Sequence, residues 1–352
     1  MIKLFESFGD PAQLQVLFGC ETIPFKRHFI VNMLHANAPQ QRHCMFCNLE
    51  EMAQGGAKCW THHGGQFRCS IPRRVHFLTC GFSCKTLSTL NSTCGAAKKV
   101  ALPSVSGSSG GTFADLIRHI SWALPYIVVL ENLEGLAQPG ANSEHLWAEF
   151  ERLCYTGSCC VLNASEFLLP QHRSRAFFIL IHCDSFGITL QEGCRVTSEM
   201  VTTLRNLVPK LQKKKSQNSD MKSFLLNPND EYLVTELARR EKAMSTKPQT
   251  EAWKTTHKTF MMKKGLTTKD CILPWDVYAS AWVRTLTERD RECLVLALAV
   301  HGADASVSSI DVSQHVDRVF AGRDNVTPTL VPNSKLWMLS EQRPLLGWEC
   351  MA

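Results

Sequence analysis

The sequence predicts an α/β fold carried by a doubly wound sheet, and three observations predict it. Four runs are continuously apolar rather than alternating, at 14–20 (LQVLFGC), 74–80, 126–133 (YIVVLENL) and 176–183 (AFFILIHC); strands covered on both faces read this way. Helical patterns fall between them, at 112–124 (TFADLIRHISWAL) and 143–156 (SEHLWAEFERLCYT). Strand and helix alternate as far as residue 183, where the pattern breaks and bounds the sheet-bearing region.

Each element has its own local signals. The helix at 112–124 is expected to open on a threonine cap and stop before Pro125; that at 143–156 is expected to open on Ser143 and stop at Gly157. Between the second and third strands, SVSGSSGG (104–111) has the composition of a mobile loop. Residues 209–270 are polar and lysine-rich, with KKK at 213–215 and little periodicity. Order resumes in a helix opening on Thr287, with Asp290 three residues later, and closing at Gly302. Three regions follow: 1–183 around the sheet, an inserted region at 184–334, and 335–352 returning to the first domain.

Composition narrows the class. The chain has 352 residues, 44% of them hydrophobic, enough for one large domain and an insertion. It has no apolar run of the ~18 residues that a membrane span needs, and MIKLFESFGD lacks the apolar core of a secretory signal. Sixteen irregularly spaced cysteines in a chain this long read as reduced thiols, hence an intracellular protein, nuclear if the source is eukaryotic. The net charge of +6 is uneven: residues 195–269 hold 16 Lys or Arg against 7 Asp or Glu, leaving the remainder net acidic. A basic segment on a near-neutral body suits a polyanion partner.

Chemistry-bearing residues sit beside the strands. Cys84 ends a Gly-Phe-Ser-Cys turn after the second strand, Glu131 and Asn132 lie at the end of the third, and Gln171, Arg173 and Arg175 come just before the fourth. A thiol, a carboxylate and guanidiniums gathered in one pocket can attack an electron-poor ring.

That order and spacing resembles the cytosine-C5 DNA methyltransferases. Ser83-Cys84-Lys85-Thr86-Leu87-Ser88 is similar to the family's Pro-Cys-x-x-x-Ser nucleophile motif, with a serine in place of proline that is expected to loosen the turn. Glu131-Asn132-Leu133 resembles Glu-Asn-Val, and Gln171-His172-Arg173-Ser174-Arg175, following Pro170, fits Gln-x-Arg-x-Arg. The resemblance implies a Rossmann-like class I methyltransferase sheet with an inserted, mixed target-recognition region. It implies S-adenosylmethionine-dependent methylation of cytosine C5 in double-stranded DNA, on a base flipped out of the duplex. Cys84 is then the nucleophile that adds to C6, Glu131 holds and protonates N3, Arg175 clamps O2 and Arg173 supports it, with Ser88, Asn132 and Gln171 in supporting places.

The flanks extend the resemblance. VLFGCETIPFKRHF (16–29) looks like the second motif, with Glu21 placed for the cofactor ribose. FCNLEEM (46–52) looks like the third, with Asn48 where an aspartate usually meets the adenine amine. Arg343, Leu345 and Glu349 resemble the ninth. The basic inserted region falls where the family reads DNA.

The Phe-x-Gly-x-Gly-Gly turn and the final Asn-containing motif have no counterpart, although LFESFG (4–9) resembles the helix that follows that turn. The resemblance therefore implies a fragment, starting about 20 residues late when judged against a strand-turn-helix unit. Cofactor affinity is expected to fall severely. The strands at 14–20 and 74–80 are each expected to present an open inner edge, and either to close on each other or to leave the domain marginal.

Other readings remain beside this one. One branch of the family methylates tRNA, and an inactive DNA-binding relative would keep the fold. Cys44-x2-Cys47-x11-Cys59-x2-His62 has ligand types suited to zinc, but a strand at 44–48 would send Cys44 and Cys47 to opposite faces. No metal ligand is therefore assigned, and the oligomeric state is open.

Overall fold

The computed structural model describes residues 15–37, 43–53, 55–63, 66–88, 99–105, 107–167, 169–212, 221–244, 251–302, 304–318, 321–330, 334–346 and 349. The LFESFG segment and the KKK run lie outside them. The chain divides into two compact units, one of residues 1–162 and 174–206, the other of 163–173 and 207–352.

The first unit opens with β1 (Phe18–Cys20), α1 (Pro24–Asn37) and β2 (Cys44–Phe46). β1 and β2 pair in parallel, Phe18 opposite Cys44, as strands joined by a crossover helix do. Next come α2 (Leu49–Met52) and β3 (Gly56–Lys58), then α3 (Trp60–His63) and β4 (Arg68–Ser70). β3 and β4 form a short antiparallel pair. Phe46, Met52, Ala57, Cys59 and Ile71 close a small core among these elements.

The larger sheet runs in the order β5 (Phe77–Gly81), β6 (Ile127–Leu133), β8 (Ser174–His182), β7 (Tyr155–Asn163). β5 and β6 are parallel, whereas β8 runs antiparallel to β6. The apolar run at 176–183 thus correctly marks a buried strand but not its direction. α4 (Gly107–Ala123) and α5 (Ala141–Arg152) pack on this sheet, burying Phe113, Leu116, Ile120, Leu146 and Phe150 with Val128, Leu130 and Phe178. On Cys160 and Ile179 lies Val201 of α6 (Leu190–Gln212).

Two expectations about local structure are corrected. α4 starts at Gly107, so Ser108–Gly111 are helix rather than mobile loop, and Thr112 lies inside the helix with its hydroxyl on Ser108 O. Gly110 permits this, because a Cβ there would lie 2.3 Å from Ala101 O. α5 ends at Arg152, not at Gly157; Cys154 turns the chain at φ 60°, and Tyr155 already belongs to β7.

Among the described residues β1 pairs only with β2, and β5 only with β6. The two strands do not close on each other. A cleft of about 1440 Å³ lies between the chain around β1 and the chain around β5.

The second unit holds α7 (Glu231–Met244), α8 (Ala252–Lys264) and α9 (Glu288–His301). α7 and α8 lie within the segment that reads as aperiodic. α9 matches its sequence signals: Thr287 accepts from Asp290 N, and Gly302 follows the last turn. Its antiparallel sheet has the order β10 (Ala321–Arg323), β9 (Val307–Asp311), β11 (Leu336–Met338), β12 (Arg343–Pro344). Trp337, fully buried, packs with Ile310, Cys293 and Leu294. The segment 335–352, expected to rejoin the first domain, thus supplies strands of the second unit. A buried ion pair fixes it: Arg343 meets Glu349 at 2.8 and 2.5 Å, and Glu349 also accepts from Leu346 N and Leu226 N.

Candidate active site

Cys84 follows β5 on a turn whose backbone is held at several points. Ser88 N donates to Cys84 O at 2.9 Å, closing one helical turn. The N-terminal turns of α4 supply the rest. Ser83 N donates to Thr112 Oγ1 (3.0 Å), the Ser83 hydroxyl to Ser108 Oγ (3.1 Å), and Thr86 N to the buried Ser109 Oγ (2.9 Å). Backbone donors that find partners in this way keep a partly buried loop in one shape. Ser83, expected to loosen the turn in place of proline, instead anchors it with an N–H that proline lacks. Ser108, Ser109 and Thr112 hold the Cys84 turn, a part that the sequence reading missed because a Gly/Ser run reads as loop.

Register places Glu131. Gly81, Glu131 and Phe177 lie opposite one another across β5, β6 and β8, and Leu133 lies opposite Arg175. Glu131 and Arg175 are thus diagonal neighbours on adjacent strands, within reach of long side chains. Arg175 Nε lies 2.9 Å from Glu131 Oε1, with the guanidinium 14% and the carboxylate 36% exposed. Asn132 points the other way and is buried; its amide donates to Phe82 O at 3.1 Å and its carbonyl accepts from Leu133 N. It ties the end of β6 to the chain just before Ser83.

The cleft between β1 and β5 gathers three of the predicted groups of this unit, while Asn48, Ser88, Asn132 and Arg175 are not among its lining residues. Cys84, Glu131 and Glu21 all line it. Glu21 follows β1, and its carboxylate accepts from Ile23 N at 2.9 Å while Arg27 donates to its backbone carbonyl at 2.8 Å. Asn48 caps α2 by accepting from Glu50 N at 3.0 Å. The carbonyl expected to meet an adenine amine is thus already in use, although its second lone pair can still accept. His119 of α4 also lines the cleft, its ring beside those of Phe18 and Trp122, and burial holds its pKa below the usual value.

Gln171 and Arg173 lie in the other unit. There Asn163 Oδ1 accepts from Arg173 N at 3.0 Å, and Gln171 bridges to Thr327. Thr327 also donates to Pro170 O and accepts from His172 N.

A family model for C-5 cytosine-specific DNA methylases matches residues 57–325, well over half of the chain, and with it Cys84, Glu131, Arg173 and Arg175. The chain belongs to that family. Type II methyltransferase M1.HphI of Haemophilus parahaemolyticus is 37% identical over 135 residues, 35% of this chain and 34% of that protein. M2.ScrFI of Lactococcus lactis subsp. cremoris is 27% identical over 164 residues, 44% of this chain and 43% of that one. The matched stretch thus spans less than half of either relative. The crystal structure of S. pombe Dnmt2 methyltransferase is 16% identical with a TM-score of 0.28, over 47% of this chain and 50% of that one.

Membership in the methylase family implies a methyl donor. The fit of S-adenosylmethionine rests on this chain's donor set. Glu21 follows a parallel strand with a carboxylate of the kind that suits vicinal ribose hydroxyls, inside a cleft that Cys84 and Glu131 also line. No helix among the described residues is long and apolar enough to cross a membrane.

Proposed function

We propose that the first unit carries the chemistry of a DNA cytosine-C5 methyltransferase, with S-adenosylmethionine held at Glu21 and the flipped cytosine held between Cys84 and Glu131. The observation that carries the reading is the shared cleft: a thiol on a hydrogen-bonded turn and a carboxylate paired to Arg175 face one space.

Cytosine C5 is too poor a nucleophile to take a methyl group unaided. The Cys84 thiolate adds to C6, forming an S–C6 bond and pushing electron density toward C5. Glu131 holds N3 and gives it a proton, so that the ring nitrogen accepts the displaced charge. Arg175 stabilises the cytosine O2 and keeps the Glu131 carboxylate aimed, through a charge-assisted contact. S-adenosylmethionine, when bound, supplies the methyl that C5 takes. The C5 proton then leaves to a base, the S–C6 bond breaks, and Cys84 is regenerated. Gln171 and Arg173 complete the family's Gln-x-Arg-x-Arg pattern, and the composition of the lysine-rich segment suits DNA phosphates.

Trapping tests this. DNA carrying 5-fluorocytosine cannot lose the C5 substituent as a proton, so the S–C6 bond persists. A covalent adduct with S-adenosylmethionine present, abolished by Cys84→Ala, is the expected result. An adduct on tRNA but not on DNA would move the substrate to RNA. Failure of both would overturn the catalytic reading in favour of an inactive nucleic-acid-binding relative.

A further inference from the structure

We infer that the first unit contains a structural zinc site formed by Cys44, Cys59, His62 and Cys69. Their ligand atoms, one from each side chain, all lie within 4.8 Å of one another. The His62 Nδ1 is 3.4 Å from Cys44 Sγ, 3.6 Å from Cys59 Sγ and 3.5 Å from Cys69 Sγ. A tetrahedron built on Zn–S of about 2.3 Å and Zn–N of about 2.05 Å has S–N edges of about 3.5 Å. The three observed separations match that edge.

The local fold explains how four residues from three segments converge. Cys59-Trp60-Thr61-His62 runs from the end of β3 into α3, and the two-residue gap returns the imidazole to the thiol. Cys69 lies on β4 opposite Ala57, on the side of the pair that Cys59 shares by strand alternation. Phe46 bridges to Cys59, which brings β2 and Cys44 alongside. The sequence suggested Cys47 as the fourth ligand, and strand alternation argued against it. The strand is shorter than expected and ends at Phe46, so Cys47 sits in the bend after it and is not among the clustered groups. Cys69 supplies the thiol, reached through strand pairing that residue spacing does not reveal.

Three thiolates and a neutral imidazole suit zinc in donor softness and number. Four protein ligands leave no open position, so the site is structural. With zinc bound it would carry a net charge of −1, next to Lys58 and Arg68 in the chain. Glu51 accepts from Lys58 N at 3.1 Å and lies 3.7 Å from Arg68. Closing the tetrahedron would fasten β2, and through it β1 with Glu21, to the β3–β4 pair. One wall of the cleft then depends on a metal that takes no part in the chemistry.

Metal analysis of the full chain, purified under reducing conditions without chelator, tests the site. The expected content is about one zinc per chain. Cobalt exchange should give thiolate-to-cobalt charge transfer and tetrahedral d–d bands. Cys69→Ser and Cys44→Ser should each abolish both signals, while Cys47→Ser and Cys20→Ser should leave them intact. If the ligand variants do not fold, the wild-type chain still decides the matter: chelator should release zinc and expose three further thiols to a thiol reagent. Absence of metal after refolding with zinc would overturn the inference, as would signals that depend on Cys47 rather than Cys69.

Discussion

Nε of Arg175 lies 2.9 Å from Oε1 of Glu131, across two strands that run in opposite directions. The pair spans the antiparallel β6–β8 step of the larger sheet. Arg175→Ala should therefore act on chemistry more than on folding. Loss of one donor that stabilises developing charge costs about 10²- to 10³-fold. The rate of 5-fluorocytosine adduct formation should fall by that much, while the melting temperature stays within a few degrees because the Glu131 carboxylate left behind is 36% exposed and water can solvate it.

Gly81 faces Glu131 across the β5–β6 register, and a Cβ at Gly81 would lie 3.2 Å from Glu131 Oε2. Gly81→Val should displace the carboxylate and slow adduct formation at least about tenfold. Circular dichroism should report an unchanged sheet, and a normal rate would show that the acid can move without consequence.

Ser109 is fully buried and accepts the Thr86 amide. Ser109→Ala leaves that donor unpaired, at a cost of about 1–3 kcal/mol. Thermal denaturation should register the loss. Alkylation of Cys84 by iodoacetamide should speed up as its turn loosens, and an unchanged rate would separate the thiol's exposure from this contact.

The Arg343–Glu349 pair is buried on both sides, 4% and 0% exposed. Glu349→Gln should destabilise the second unit by about 3–5 kcal/mol, since it leaves a guanidinium buried without its counter-charge. Replacing both residues with apolar ones of similar volume should cost less. Urea titration of the three proteins measures the difference.

His257 is buried in the second unit, and desolvation, helped by Arg289 and His315, lowers its pKa from 6.5 to about 4. The unfolded chain therefore binds a proton that the folded chain refuses between those values. Its contribution to stability is fully present above about pH 6.5 and is lost as pH falls toward about 4. Melting temperature should drop through that window, and His257→Phe should flatten the slope.

What the sequence disclosed was local. Cys84, Glu131 and Arg175 are legible because each sits beside an apolar run, and the α9 cap because Thr287 and Asp290 are three residues apart. What it hid was non-local. The direction of β8 is invisible in an apolar run that reads the same both ways. Ser108, Ser109 and Thr112 bear on the site only once α4 is folded against the Cys84 turn, and in isolation they suggest a linker. The start of β7 was missed because Tyr155 and Thr156 extend the helical pattern in sequence, whereas Cys154 has already turned the chain with a positive φ. Cys69 joins Cys44 only through two strand pairings, and Arg343 and Glu349 show their place only once Leu226 is beside them.

The turn at Ser83 has a consequence for temperature. A pyrrolidine ring fixes its torsion covalently, and heat or denaturant does not relax it. The restraint on Ser83 is made of hydrogen bonds to Thr112 and Ser108, which are enthalpic and exchangeable with water. Warming or urea should therefore soften the Cys84 turn before it melts the sheet. A catalyst built this way would lose rate at temperatures where its far-ultraviolet spectrum is still that of the folded protein, and would recover on cooling.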